Sequence, residues 1–431
     1  FIASMMSGST IQEILQNTIF GNLPPWFSEG LIQYTAEPWN TDLDDELRDY
    51  FEKNPNLKFK KFSQTNPSLA GHSMWYFIEK KYGKEALKDV IYLTRINKAS
   101  FSGFGFVLGT SQENLELEWA TFYLERKKLD IDNKNPLPAE GEIKIKTRKK
   151  RTITPIILSP DATNIAYATH DGGAFKLFVK KVETGKKKKI LRGGFKSDNY
   201  PHDNSYPQIA FSQNGGTLGI CYERRDKIKF LQYDLETKKV TKHRLDNFQR
   251  INDFSFTGNS NDILFSAQLN GKTDIYLFSL NSGRNIPITN DFWDDLQPTY
   301  VNTNGVEGVL FVSNRNTDTL LQLPLDTALP IGTFDLFFYN LKKRGNSLSR
   351  LTKTPFGNEK APIVFGNGKI GYLSDENGIF NQYELSLATE MIRVDSVWAT
   401  QNGDIVDADG FDFDSTKLIK IGQPIYKEIG I

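Results

Sequence analysis

From about residue 150 onward the apolar positions come in short runs that alternate with polar ones. Each run ends at a cluster of Gly, Pro, Asn, Asp or Ser, the pattern of antiparallel strands joined by tight turns. The clearest set is Pro155-Ile156-Ile157-Leu158-Ser159-Pro160-Asp161, then Ile165-Ala166-Tyr167-Ala168, then Phe175-Lys176-Leu177-Phe178-Val179, closed by Glu183-Thr184-Gly185. The order returns at Ile209-Ala210-Phe211-Ser212-Gln213-Asn214 with Leu218 to Tyr222 and Phe230 to Thr237, and at Phe254-Ser255-Phe256-Thr257-Gly258-Asn259 with Ile263 to Ser266 and Thr273 to Gly283. Looser copies run through Gly308 to Ser313 with Phe334 to Tyr339, and through Lys369 to Gly378. A spacing of roughly 45 residues is that of a four-stranded propeller blade. The pattern therefore predicts a β-propeller of about six blades, with Ile157, Ile165, Phe211, Phe256, Phe265 and Phe311 in the cores between them. The segment Asp404 to Phe411 lacks the rhythm, so the last blade is expected to be incomplete. An open ring would leave two sheet edges unpaired, and a closing strand from elsewhere is the expected remedy.

The first 130 residues have helical periodicity instead. Segments starting at Ile11 and Trp26, then Asp42 to Lys53, Ala70 to Lys81, Glu85 to Ile96 and Asn114 to Lys128, read as amphipathic helices, with Met74, Trp75, Phe77 and Ile78 facing inward. Residues 129–152, with Pro136, Pro138 and the basic run ending at Arg151, read as a connection. The fold class is thus α+β multidomain: a helical domain over 1–130, a linker over 131–151 and an all-β propeller over 152–431.

Composition narrows the chemistry. A hydrophobic share of 39% and a charged share of 24% over 431 residues suit a globular chain with more than one core. A net charge of +1 supplies no general field for nucleic acid, which is not expected as a partner. The single cysteine, Cys221, excludes an intramolecular disulfide and reads as a small core residue in mid-strand. No run of 18 apolar residues is present to span a membrane as a helix.

The Ser-Pro-Asp-x-x-x-Ile-Ala-Tyr string at Ser159 to Tyr167, with Leu177-Phe178-Val179 and Glu183-Thr184-Gly185, resembles the repeats of the periplasmic protein TolB and of the non-catalytic propellers of prolyl-oligopeptidase-type enzymes. The resemblance covers about residues 150–385 and implies a fold and an envelope setting, but no reaction. Across residues 10–125 a second resemblance holds. Pro25-Trp26-Phe27-Ser28-Glu29-Gly30 through Tyr34, with Ala70 to Ile78, Tyr82-Gly83 and Trp119, is similar to gluzincin-type zinc metallopeptidases. In that family the glutamate matching Glu29 is the third zinc ligand, after two histidines of an H-E-x-x-H helix.

This chain contains no H-E-x-x-H; its four histidines are His72, His170, His202 and His243, each read as an ordinary surface or core residue. A zinc helix is expected either upstream of Phe1 or lost, with residues Phe1 to Ser9 as the tail of that helix in the first case. Asp291, Asp294 and Asp295 around Trp293 are a candidate calcium loop without the Gly-spaced ligand pattern. Lys186 to Lys189 and Arg148 to Arg151 read as solvated charge rather than phosphate sites, and Gly-x-Ser-x-Gly is absent. No catalytic and no cofactor-binding residue is assigned.

The function expected is that of a non-catalytic binding or scaffold protein, free of cofactors, in the bacterial periplasm or at the outer membrane. It would present propeller loops, among them Asp291 to Asp295, and its unfinished edge to a protein partner. The Phe-, Lys- and Asn-rich composition points to Bacteroidota, and with it to secretion or gliding machinery and a lipid anchor upstream. The alternative is a zinc peptidase with Glu29 as metal ligand. A third reading, a carbohydrate or peptide binder, would need Trp293 and Tyr300 to line a pocket.

Overall fold

The computed structural model describes residues 23–54, 58–97, 100–134, 143–147, 151–197, 203–245, 248–303, 305–320, 333–343, 345–354, 357–366, 368–400, 405–406 and 418–430. The chain divides into two compact units: residues up to Pro136 together with Asn377–Asn381, and the remainder. The expected helix at Ile11, the residues Phe1 to Ser9, His202 and the basic residues 148–150 lie outside the described residues.

Among the described residues the first unit holds seven helices: α1 (Pro25–Ala36), α2 (Thr41–Lys53), α3 (Phe59–Thr65), α4 (Pro67–Tyr82), α5 (Lys84–Asn97), α6 (Ser100–Leu108) and α7 (Gln112–Asn133). Their starts are written locally. Asn40, Asn66 and Ser111 each accept a hydrogen bond from a backbone N–H of the first turn, and Pro25 and Pro67 stand where a missing N–H costs nothing. Two helices were not anticipated. Seven residues give α3 too short a period to read, and Gly103 and Gly105 among the phenylalanines of α6 imitate a loop.

Helices α1 and α4 cross backbone to backbone at Gly30 and Gly71, where a Cβ on Gly71 would stand 1.8 Å from the Trp26 carbonyl oxygen. Around the crossing, Trp26, Phe27, Phe62, Trp75, Phe104 and Trp119 form the core. The polar ends of its rings find partners: Trp75 Nε1 donates to the Phe27 carbonyl at 3.2 Å and Trp119 Nε1 to Ser73 Oγ at 3.1 Å.

In the second unit the strands fall into five antiparallel sheets, each a meander. They are β1 (Thr152–Leu158) to β4 (Lys187–Gly193), β5 (Gln208–Phe211) to β8 (Val240–Arg244), β9 (Arg250–Phe256) to β12 (Asn285–Pro287), β13 (Asp295–Thr303) to β16 (Ser349–Arg350), and β17 (Glu359–Val364) to β20 (Ile405–Val406) with β21 (Leu418–Gly430) added. The first strand of each sheet lies against the first strand of the next, β1 by β5, β5 by β9, β9 by β13 and β13 by β17. Each core is shared by two consecutive sheets. Phe175 and Leu177 meet Phe211 and Ile220; Phe230 meets Phe254 and Phe265; Leu264 meets Phe311 and Phe337; Val312 and Leu336 meet Ile370 and Leu385. Neighbours along β10 (Asp262–Leu269) thus serve opposite junctions, Ile263 and Phe265 one and Leu264 the other, because side chains alternate across a strand. This is blade packing in a propeller. The expected core residues are buried, except Ile157, which is half-buried on the partly exposed β1.

The repeated turn letters have one bonding scheme. Ser159 Oγ donates to Asp161 and accepts from the Asn164 N–H; Ser212 does the same with Asn214 and Thr217; Thr257 Oγ1 likewise donates to Asn259. The third residue after each hydroxyl, Ala162, Gly215 or Ser260, has positive φ, which only the glycine adopts freely.

The blade number differs from expectation: five sheets among the described residues, not about six. The run after Asn381 contains no Gly or Pro up to Thr400, so no turn interrupts it, and it forms one 20-residue strand, β19 (Asn381–Thr400). That strand continues beyond its blade as a ribbon with β21, paired from Leu387↔Gly430 to Thr400↔Leu418 with one register shift between Met391 and Arg393.

Candidate functional site

Glu29 sits on the second turn of α1, past the first turn where the helix dipole acts, and is exposed; Ser68 Oγ donates to it at 2.9 Å. A gluzincin zinc needs two histidines beside this carboxylate. His72 is buried with its ring edge-on to Tyr34 and Trp39, and burial holds it neutral by lowering its pKa. His170 Nε2 is 2.7 Å from the Thr154 carbonyl oxygen, and His243 Nε2 is 2.8 Å from Gln232 Oε1. Among the described residues Glu29 belongs to no group with metal-ligand spacing, so these residues alone do not make a zinc site around it. Cys221 is fully buried and burial pushes its thiol up, as befits an inert core residue.

The group with ligand spacing is Asp274, Asp291 and Asp295, all buried. It corrects the calcium loop: Asp294 is not a member, and Asp274 comes from another strand, β11 (Lys272–Ser279). Arg315, 1% exposed, donates to both oxygens of Asp295 at 2.7 Å and reaches Asp291 at 3.1 Å. The guanidinium thus supplies the positive charge a metal ion would otherwise bring to these two carboxylates. Asp274 accepts from the Asp291 N–H at 3.0 Å, while its Oδ2 has no partner.

One blade on, the same positions carry Asp335 and Glu359, but the residue matching Arg315 is Glu376. There Arg350 pairs with Asp335, and Thr354 and Ser374 hydroxyls donate to Glu359, whose pKa burial and Asp335 together raise. Both networks join consecutive blades from inside. The Asp291–Asp295 segment is therefore no free loop face, because both end carboxylates are sealed in ion pairs.

Burial first, then the charges of Asp295 and Asp291, push Asp274 up to about 6 from its ordinary 3.8. A raised carboxyl favours the folded state while protonated, so its contribution is complete below pH 4 and lost as pH rises to about 6. The loss is on the order of 2–3 kcal/mol. Asp274→Asn is expected to flatten that part of the Tm profile and to melt above wild type at pH 7 and higher. A variant whose Tm falls between pH 4 and 6 as steeply as wild type would contradict this.

The aromatic pocket is also corrected. Trp293 is buried, and Tyr300 is a core residue whose hydroxyl donates to Glu307 at 2.8 Å. Lys187 to Lys189 lie in the outer strand β4 rather than in a loop, with Lys188 Nζ donating to the Tyr233 hydroxyl at 2.8 Å. Those lysines are exposed, as expected of solvated charge, while half-buried Arg151 and exposed Lys196 both bond to Asp171 and hold that carboxyl below its usual range.

Open space lies elsewhere. A cleft of about 650 Å³ is framed by the loops joining the second and third strands of the first two blades. Phe175 and Tyr222 line it, with Arg192, Arg224 and Arg225 at its edge and Phe195 standing 84% exposed. A second cleft of about 620 Å³, with Lys227, Lys229, Arg244 and Phe248, shares Asp226 with the first. Sequence reading missed this site, because its residues are scattered through turn and strand-end positions. The one signal was Arg224-Arg225-Asp226 in a hairpin tip where Asn-Gly would be usual.

No protein-family model and no curated protein matches this chain. Solved structures similar to it include TolB from Acinetobacter baumannii (16% identity, TM-score 0.37, 54% of this chain and 53% of that one). Others are a putative TolB from Agrobacterium tumefaciens (16%, 0.32, 44% and 61%) and a putative dipeptidyl aminopeptidase IV from Bacteroides ovatus (12%, 0.35, 58% and 45%). Each match spans less than two thirds of the other protein's length. The blade architecture is defined by the chain's own strand pairing. No helix among the described residues is long and apolar enough to cross a membrane.

Proposed function

We propose that this chain is a non-catalytic binding or scaffold protein of the bacterial envelope, working without a cofactor and presenting the loop end of its propeller to a protein partner. The observation that supports this is the pair of open clefts beside the β6–β7 hairpin, on rigid blades, while the grouped carboxylates are sealed inside and taken up by Arg315. A place in the periplasm or at the outer membrane, near secretion or gliding machinery, with a lipid anchor, belongs to the same proposal and rests on the repeat letters and composition.

Mild extraction from native envelope is expected to recover the protein in a defined complex; recovery as free monomer alone would defeat the reading. Stoichiometric zinc, lost to chelator together with a peptidase activity that Glu29→Gln abolishes, would replace it with the gluzincin alternative.

A further inference from the structure

We propose that the β6–β7 hairpin tip and the two clefts beside it form the docking site for an acidic, aromatic-bearing polypeptide segment. This deepens the binding-protein reading and rests on it. Between β6 (Thr217–Glu223) and β7 (Ile228–Asp234) the chain turns through Arg225 and Asp226, both at positive φ, closed by the Arg224 N–H to Lys227 carbonyl bond at 2.9 Å. Equivalent tips on neighbouring blades use Gly172-Gly173 and Asn270-Gly271, which adopt this backbone with little or no penalty. Side chains that a strained tip retains against its own geometry are candidates for recognition.

Charge identifies the occupant. Among the described residues Arg192, Arg224 and Arg225 on one side, and Lys227, Lys229 and Arg244 on the other, make no side-chain hydrogen bond or ion pair. Two acids at the tip, Glu223 and Asp226, are likewise unpaired, whereas Asp203 is engaged by the Ser205 N–H and by Arg250 at 3.6 Å. Six free cations against two free acids favour an anionic partner. A polymer charged at every unit, such as nucleic acid, would set phosphates against Glu223 and Asp226. A polypeptide can alternate, placing carboxylates on the arginines and lysines, a backbone N–H or neutral group at the two acids, and a ring against the projecting Phe195, beside the buried Phe175 and Tyr222 that floor the cleft.

The test is fluorescence anisotropy on the full chain with a labelled peptide of repeating Glu-Phe-Asp-Tyr, about twelve residues long. Saturable binding is expected, weakening about tenfold as salt rises from about 0.05 to about 0.3 M. Arg192→Glu with Arg224→Glu and Arg225→Glu is expected to weaken it by a further factor of about ten or more. Arg225→Gly relieves the turn, so its Tm should hold or rise while binding falls several-fold, which separates recognition from folding. Oligothymidine and phosphatidylglycerol vesicles are expected not to compete. Peptide binding that the variants leave unchanged, no saturable binding, or equal competition by the oligonucleotide or vesicles would overturn the proposal. A native envelope complex retained by the triple variant would also overturn it, while leaving the binding-protein reading intact.

Discussion

Arg315→Ala is expected to cost about 3–5 kcal/mol, a large part of the stability of a domain, because it strands Asp291 and Asp295 as uncompensated charges inside the propeller. The guanidinium is 1% exposed and holds three carboxylate oxygens at 2.7 to 3.1 Å. Asp274, already raised, adds a third carboxyl to the group, and Lys272 acts on Asp274 through charge alone, with no bond to Asp291 or Asp295. Arg315→Lys should recover only part of the loss, since an ammonium cannot reproduce the paired bonds to Asp295. Arg350, one blade on, has a partly exposed side chain, and its partner Asp335 also accepts from the Thr354 N–H; Arg350→Ala should cost less. Urea titration of the three variants checks the order, and equal losses for Arg315→Ala and Arg350→Ala would refute it.

Gly71→Ala is the second large effect expected, this time in the helical unit. Its Cβ would stand 1.8 Å from the Trp26 carbonyl oxygen and 2.7 Å from the Gly30 Cα, against backbone that cannot swing aside as a side chain can. Separating α1 from α4 also opens the contacts of Trp26 and Phe27 with Phe104 and Trp75, so the loss is set at or above about 3 kcal/mol, the upper end for overpacking. Gly105→Ala is the control. The nearest atom to its Cβ is the Thr110 carbonyl oxygen at 3.5 Å, so ordinary helix propensity should make it neutral or stabilising by up to ~1 kcal/mol. Thermal melts followed by far-UV circular dichroism and by tryptophan fluorescence distinguish the two. A Gly71→Ala protein melting with the Gly105→Ala protein would show that the crossing yields more easily than its geometry implies.

Strand alternation, helical periodicity and the Ser/Thr-x-Asp/Asn turns were all legible in the chain by itself, since each is a relation among residues within a few positions of one another. They were enough to locate most of the helices and the four-strand repeat, and to place Phe211, Phe256, Phe265 and Phe311 in cores. Short or glycine-bearing helices such as α3 and α6 escaped because local preference is weak there and burial of Phe59, Phe62 and Phe104 decides the outcome.

The sites were decided only by tertiary structure. Asp274, Asp291, Asp295 and Arg315 come from two blades, and Asp291 and Asp295 look like loop acids until Arg315 is brought in from the end of β14 (Val306–Ser313). Arg192, Arg225 and Arg244 become one surface only when three strand ends converge. A sequence records which residues prefer a strand, a turn or a cap, because those preferences are settled by nearest neighbours. Which charges end buried together, and which stay free at the surface, depends on contacts between residues tens of positions apart, and these exist only once the blades have packed.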